Sequence, residues 1–194
     1  MLQYLVLIDR EIFYFFNHTM SNYLFDIFFP FITNSKNWMP VYILMFLWLF
    51  IKGGKNGRIC GITLLLTAVV SDQTSSHLLK ELIGRIRPCH VLPDVHLLVP
   101  CGGGKSLPSS HAVNNFAAAY VLTYYYKNLR ILFYTIATLV ALSRVFVGVH
   151  YPADIAFGAL WGLLIGFLMV YTVNKTWQYF IKLKEQKTKN QQIN

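Results

Sequence analysis

The sequence predicts an all-α fold, a polytopic helical bundle embedded in a membrane, and three observations carry that prediction. Hydrophobic residues make up 55% of the 194 positions and charged residues 13%, about half the roughly 25% charge of soluble domains. Several apolar runs approach the ~20 helical residues that cross a hydrocarbon core of ~30 Å. Lys and Arg collect at the ends of those runs: Lys52, Lys55 and Arg58, then Lys127 and Arg130, then Lys175, Lys182, Lys184, Lys187 and Lys189. Cytoplasmic loops hold such clusters, so all three are expected on the cytoplasmic side. The net charge of +9 is therefore assigned to topology and site cations. No basic amphipathic face suggests nucleic acid.

Residues 1–17 are apolar and aromatic but broken by Asp9, Arg10 and Glu11. That pattern suits a helix lying in the interface, or one dipping into the bundle, and is not that of a cleaved signal peptide. A second apolar run covers 21–33. Residues 38–51, opened by an interfacial Trp and closed at Lys52, form a short span. The run 58–86 is longer, and its outer half turns polar from Ser71 to His77, so that half faces protein or water. Pro93, Pro100 and Gly102 to Gly104 make 88–107 an irregular extracytoplasmic loop. Helices are then predicted from Ser109 or its neighbour to 126, over 131–147, and over 153–179. In the last, Gly158, Gly162 and Gly166 recur at four-residue spacing, the signature of close helix packing. The expected organisation is one membrane domain over 1–181 and a polar, disordered cytoplasmic tail over 182–194. Cys89 and Cys101 bracket the outer loop and are read either as a disulfide or as two free thiols.

Alternation of the spans brings the 88–107 loop, the start of the helix after Pro108, and the turn at His150 to one outer face. Lys80, Arg85, Arg87, Lys105 and Arg144 then sit outside, against the positive-inside trend, and cations kept there should have a ligand. Lys80 and Arg87 are seven residues apart, nearly in phase on a helix, so they either grip one anion or snorkel as a basic pair. Pro108-Ser-Ser-His111 follows a glycine-rich loop and opens an apolar helix. The amides near Ser109 and Ser110 would cradle a phosphate, with His111 either donating a proton or merely capping the helix. Arg144 adds a guanidinium fork. With a helix starting near Pro152, His150 and Asp154 lie one turn apart, so the carboxylate accepts an imidazole N–H and raises the basicity of the other ring nitrogen. Together these parts make a mechanism. His150 attacks phosphorus, the cations and amides hold the equatorial oxygens, and His111 protonates the leaving alkoxide; water then hydrolyses the phosphohistidine with His111 as base.

At these positions the sequence resembles the type 2 phosphatidic acid phosphatase superfamily. Its signature is Lys, six residues, Arg-Pro; then Pro-Ser-Gly-His; then Ser-Arg, five residues, His, three residues, Asp. The matching residues are Lys80 to Arg87-Pro88, Pro108-Ser-Ser-His111, and Ser143-Arg144 to His150 and Asp154. Ser110 stands where the family usually has glycine, and Ser tolerates φ > 0 poorly. The resemblance implies about six transmembrane helices, a phosphohistidine mechanism without metal or other cofactor, and lipid phosphate substrates entering from the bilayer. Among the small bacterial members, the stretch from Gly102 to His111 looks most like lipid A 1-phosphatases. Undecaprenyl pyrophosphate and phosphatidylglycerol phosphate phosphatases are the alternatives.

Three rival classes are weighed against this reading. A metal centre built from His90, His96, His111, His150, Asp94 and Asp154 lacks ligand spacing, and the converging cations would repel a divalent ion. A transporter would use Asp72 and His77, although the polar residues around them equally suit hydrogen bonds to neighbouring helices. An inactive lipid-binding relative is at odds with the full set of histidines, aspartate and cations.

Overall fold

Short polar side chains decide where the helices begin. In this computed structural model, which describes residues 2–193, Asn22 caps α2 (Tyr23–Thr33), accepting from Leu24 N and Phe25 N at 3.1 Å. Asn34 ends α2 and caps α3 (Ser35–Ile51) through Lys36 N. Ser109 caps α7 (Ser110–Tyr125) through Ala112 N. Each cap satisfies an amide that the first helical turn leaves without a partner.

Before these lies α1 (Leu2–Tyr14), running into a π turn at Phe15–Thr19. Helix α4 (Gly54–Asp72) continues through a π segment, Gln73–Leu79, into α5 (Lys80–Ile83) and stops at Gly84. A short α6 (Pro88–Val91) sits in the outer loop, and α8 (Arg130–Phe146) and α9 (Pro152–Ile193) complete the chain. Among the described residues there is no strand, and a single isolated bridge joins Ile86 to Lys105. Helix α9 passes through the segment expected as a disordered tail. After Gly166 it meets no Gly or Pro and is rich in Lys, Gln and Glu, which are good helix formers.

Helix α7 is the central element, packed by α4, α8 and α9. The glycine row of α9 explains the closeness of the α7–α9 pair. A Cβ at Gly162 would lie 2.3 Å from the Val113 carbonyl oxygen, and one at Gly158 2.9 Å from that of Ser109. Beneath the outer face, Phe29 stacks on Phe146 with centroids 3.9 Å apart, joined by Ile32, Val147 and Val149. Leu49, Cys60, Leu64, Val121 and Val170 fill the opposite half. Around the outside, large apolar side chains stay bare, including Ile131 at 76%, Leu24 at 72% and Leu160 at 68% exposure. In water such a surface would drive aggregation; in a bilayer it is the solvated face. The segments Lys127–Phe146 and Pro152–Gln186 are long and apolar enough to cross.

The polar half of α4 is used internally. Ser71 Oγ donates to Asn114 Oδ1 at 2.7 Å, Trp161 Nε1 donates to Thr74 Oγ1 at 3.2 Å, and Ser76 Oγ donates to Asp72 Oδ1 at 3.2 Å. These bonds tie α4 to α7 and α9. They give Asp72, one of the two residues of the transporter reading, a partner within its own segment.

The outer loop is ordered by pairing and by α1. Arg87 N donates to Gly104 O at 3.1 Å and Ser106 N to Arg85 O at 2.7 Å. Cys89 and Cys101 are joined, with Cα atoms 6.2 Å apart. The Asn17 amide, 1% exposed, donates to His96 O and Phe146 O and accepts from His96 N, each at 2.9 Å. Because Gly84 ends the helix, Arg87 does not share a helical face with Lys80, contrary to the seven-residue phase. It reaches the site from the paired segment instead.

Candidate active site

His150 is positioned by the way α8 ends. Val149 N and His150 N both donate to Arg144 O at 3.1 Å, and Gly148 turns the chain with φ +85°. A Cβ there would meet Val95 Cγ1 at 2.8 Å and His96 O at 2.9 Å, so conformation and space both require glycine. The turn buries the imidazole to 2% exposure. One helical turn on, in the first turn of α9, Asp154 is fully buried. It accepts the His150 Nδ1–H at 3.3 Å and the Tyr151 amide at 2.9 Å, both on Oδ2. Nε2 is thus left as the nitrogen with a free lone pair. Burial pushes the His150 pKa down to about 4, with Asp154 opposing the shift. The ring is therefore neutral at physiological pH.

The cations surround this imidazole from separate elements. Arg144, in the last turn of α8, donates through Nη1 to Thr33 Oγ1 at 2.6 Å. Arg87 comes from the outer loop, and its pKa is lowered by burial and held up by Asp154. The Nε–H groups of both arginines are buried without a protein partner. Buried donors without partners are rare and costly, and two of them flanking a neutral histidine suit a bound oxyanion. Lys80 Nζ, at the end of the π segment, donates to Ser110 Oγ at 2.9 Å, and Ser76 Oγ lies 3.0 Å from the same oxygen. A π segment at such a site is a common device for re-aiming side chains.

At the start of α7 the arrangement differs from expectation in one respect. The Ser109 amide donates to Asp154 O at 3.1 Å, so it is not free to cradle an anion. Ser110 and His111 are the first two helical residues, and their amides have no intrahelical acceptor. They form the open part of the cradle. Positive φ among non-glycine residues occurs only at Asp94 among the described residues, so Ser110 replaces the usual glycine without strain. His111 donates through Nε2 to Thr33 O at 3.2 Å and lines the polar end of an apolar cavity of about 330 Å³ between α3, α7 and α8.

All eight expected site residues, Lys80, Arg87, Ser109, Ser110, His111, Arg144, His150 and Asp154, thus converge at one end of the bundle. The remaining histidines of the metal reading are dispersed: His96 faces Asp26 at 3.1 Å, and His90 lies 3.3 Å from Gly102 O. The PAP2 superfamily model matches residues 61–178, the stretch that carries every one of the eight.

The chain belongs to the PAP2 superfamily.

It is a membrane lipid phosphatase. The lipid A 4'-phosphatase of Bacteroides thetaiotaomicron is 30% identical over 184 residues, 90% of this chain and 81% of that protein. The lipid A 1-phosphatase of Rhizobium etli is 36% identical over 104 residues, 50% of this chain and 44% of that one. The crystal structure of a PAP2-type phosphatidylglycerolphosphate phosphatase from Bacillus subtilis superposes with a TM-score of 0.69 at 26% identity, covering 88% of this chain and 87% of its own.

The PAP2 signature did not reveal four further participants. Thr33 holds both Arg144 and His111. Tyr151 lies under the Arg85 guanidinium, 3.9 Å from ring centroid to Cζ. Arg85 binds Asp154 Oδ1 at 2.9 Å and Asp9 Oδ2 at 2.6 Å. Arg85 had a signal in the sequence as an outer cation against the charge trend; Asp9 had only its interruption of an apolar run.

Proposed function

We propose that this chain hydrolyses a phosphate monoester of lipid A through a phosphohistidine on His150. The observation that carries the mechanism is the pair of unpartnered buried arginine Nε–H groups beside a neutral imidazole whose Nδ1–H is held by Asp154. In this reading Nε2 of His150 forms a bond to phosphorus as the ester P–O bond breaks. Arg87, Arg144, Lys80 and the Ser110 and His111 amides take the equatorial charge, and His111 protonates the departing alkoxide. Water, deprotonated by His111, then cleaves the P–N bond and regenerates neutral His150.

The stretch from Gly102 to His111 pointed to the 1-phosphate. The likeness to a lipid A 4'-phosphatase runs over nearly the whole chain, whereas that to a lipid A 1-phosphatase runs over half, so the 4'-phosphate is the favoured position and the 1-phosphate the second reading. A phosphate-release panel in detergent tests this, using lipid A monophosphorylated at either position, phosphatidylglycerol phosphate, phosphatidic acid and undecaprenyl pyrophosphate. Dominant turnover of 4'-phosphorylated lipid A is expected. Dominant turnover of a glycerolipid or of the pyrophosphate would overturn the substrate assignment.

The pH profile of turnover is expected to be a bell. Because the folded pKa of His150 is lowered to about 4, the nucleophile is unprotonated above that value, and activity falls as pH drops through it. In this reading His111 must carry the proton that the leaving group takes, and depletion of that acid sets the alkaline limb. A flat profile from about pH 3 to pH 9 would count against both roles.

The proposed crossings are α2 with α3, α4 with its extension, α7, α8 and α9, with α1 on the outer surface, five in place of the six or so suggested by the resemblance. Support comes from Asp9 and Asn17, which both bond groups at the site end. The proposed location is the inner membrane, site toward the periplasm and C-terminus in the cytoplasm. Its support is the gathering of Lys55 and Lys127 around one cavity at the opposite end.

A further inference from the structure

We propose that Arg85 and Asp9 are positioning residues that set the charge and orientation of Asp154 and, through it, the readiness of His150 to attack phosphorus. The inference rests on the phosphohistidine reading and assigns parts to two residues outside its machinery.

Asp154 divides its two oxygens. Oδ2 serves the Tyr151 amide and His150, while Oδ1 accepts Arg85 Nη1 at 2.9 Å. A fully buried carboxylate beside a neutral imidazole needs a counter-charge, and Arg85 supplies it. Arg85 acting on Asp154 alone would draw the carboxylate away from its partner histidine. Asp9 shares the guanidinium, accepting Nη2 at 2.6 Å, a shorter contact than the one to Asp154. Its other oxygen accepts the Ala153 amide at 2.8 Å, one residue before Asp154, so the same side chain also holds the backbone that carries the carboxylate. The Tyr151 ring closes the remaining face of the guanidinium at 3.9 Å. Helix α1 thereby reaches the nucleophile through an unbroken line: Asp9, Arg85, Asp154, His150.

Opposite signs follow from removing the two ends of this line. In Arg85→Gln, Asp154 loses its counter-charge and holds the His150 proton more strongly, so the acid limb of the pH–rate profile moves up by about one pH unit. In Asp9→Asn, Arg85 concentrates on Asp154, and the limb moves down. The other charged groups facing His150 and Asp154 are Arg87 from the loop, Lys80 from α5, Arg144 from α8 and His111 from α7, with Arg10 of α1 near Tyr151. All are unchanged in both variants, so the difference between the variants reads the pair alone.

The test uses the full-length chain in detergent. kcat and KM are measured against pH for wild type, Asp9→Asn, Arg85→Gln and Arg85→Lys, and the His150 ring is titrated directly by 15N-histidine NMR, its signal assigned by loss in His150→Gln. The expected result is opposite displacement of the His150 titration in Asp9→Asn and Arg85→Gln, return toward wild type in Arg85→Lys, and a fall in kcat of about 10- to 100-fold in Arg85→Gln with KM little changed. Displacement in the same direction, or lowered activity with an unmoved titration, would overturn the proposal and reduce the pair to an anchor for α1. Should Arg85→Gln fail to fold, Asp9→Asn keeps the proposal falsifiable: its His150 titration is expected to move down, and a titration that rises or stays put would overturn the proposal. Wild-type turnover in His150→Ala would defeat the phosphohistidine reading, while the His150 titration would still report whether the pair controls Asp154.

Discussion

Replacing His150 by Ala is expected to lower phosphate release by at least ~10³-fold, and His111→Ala to do nearly the same, with neither change unfolding the protein. The two losses have different origins, and a substrate series separates them. Without His150 there is no nitrogen to form the intermediate, so no phosphoenzyme is trapped with any substrate. Without His111 the leaving group must depart as an alkoxide. A substrate with an acidic leaving group, such as a nitrophenyl phosphate, should then recover much of the rate in His111→Ala and none in His150→Ala. The surroundings argue that both variants fold. His150 touches Asp154 through one bond, and Asp154 keeps the Tyr151 amide and Arg85 when the ring is removed. Wild-type release by His150→Ala would be incompatible with the mechanism.

Gly162→Val is expected to be the most damaging substitution for the fold. The new Cβ would lie 2.3 Å from Val113 O and 3.1 Å from Ala117 N; both are backbone atoms of the central helix and cannot swing aside. Helices α7 and α9 must separate, which costs about 3 kcal/mol or more where small residues set the approach. The measurement is thermal unfolding in detergent, with Gly103→Ala as control, since nothing lies within 4 Å of a Cβ at Gly103. A control-like midpoint for Gly162→Val would mean that the two helices are not held at this spacing. Activity should fall along with stability, because Gly158 on the same stripe packs against Ser109, at the mouth of the site.

The eight candidate site residues could be named from the sequence because the patterns that mark them are local. A histidine and an aspartate one turn apart, a serine cap before an apolar helix, and cations that break the charge pattern of the apolar runs each speak through spacing. What escaped was non-local. Arg85 meets Asp9 and Asp154 across separations of 76 and 69 residues, and no periodicity encodes such a meeting. The helical phase that pairs Arg87 with Lys80 does not hold, because Gly84 ends the helix between them. Ser109 was read as an anion donor, although its amide is spent on Asp154 O. Two long apolar helices, Lys127–Phe146 and Pro152–Gln186, answer to apolar runs read from composition. Helix α2 has 11 residues and α3 has 17, each short of a full crossing, and only Asn34 separates them.

The bond from the Ser109 amide to the Asp154 carbonyl has a wider consequence. It joins main chain to main chain, between the segment that carries His111, the proposed acid, and the segment that carries His150, the proposed nucleophile. The spacing of the two reacting groups is therefore inherited from peptide geometry and is largely indifferent to which side chains surround them. Such a chassis can be re-tooled. The loop over 88–107 can then be rewritten, lengthened or recharged without moving the backbone that sets this spacing.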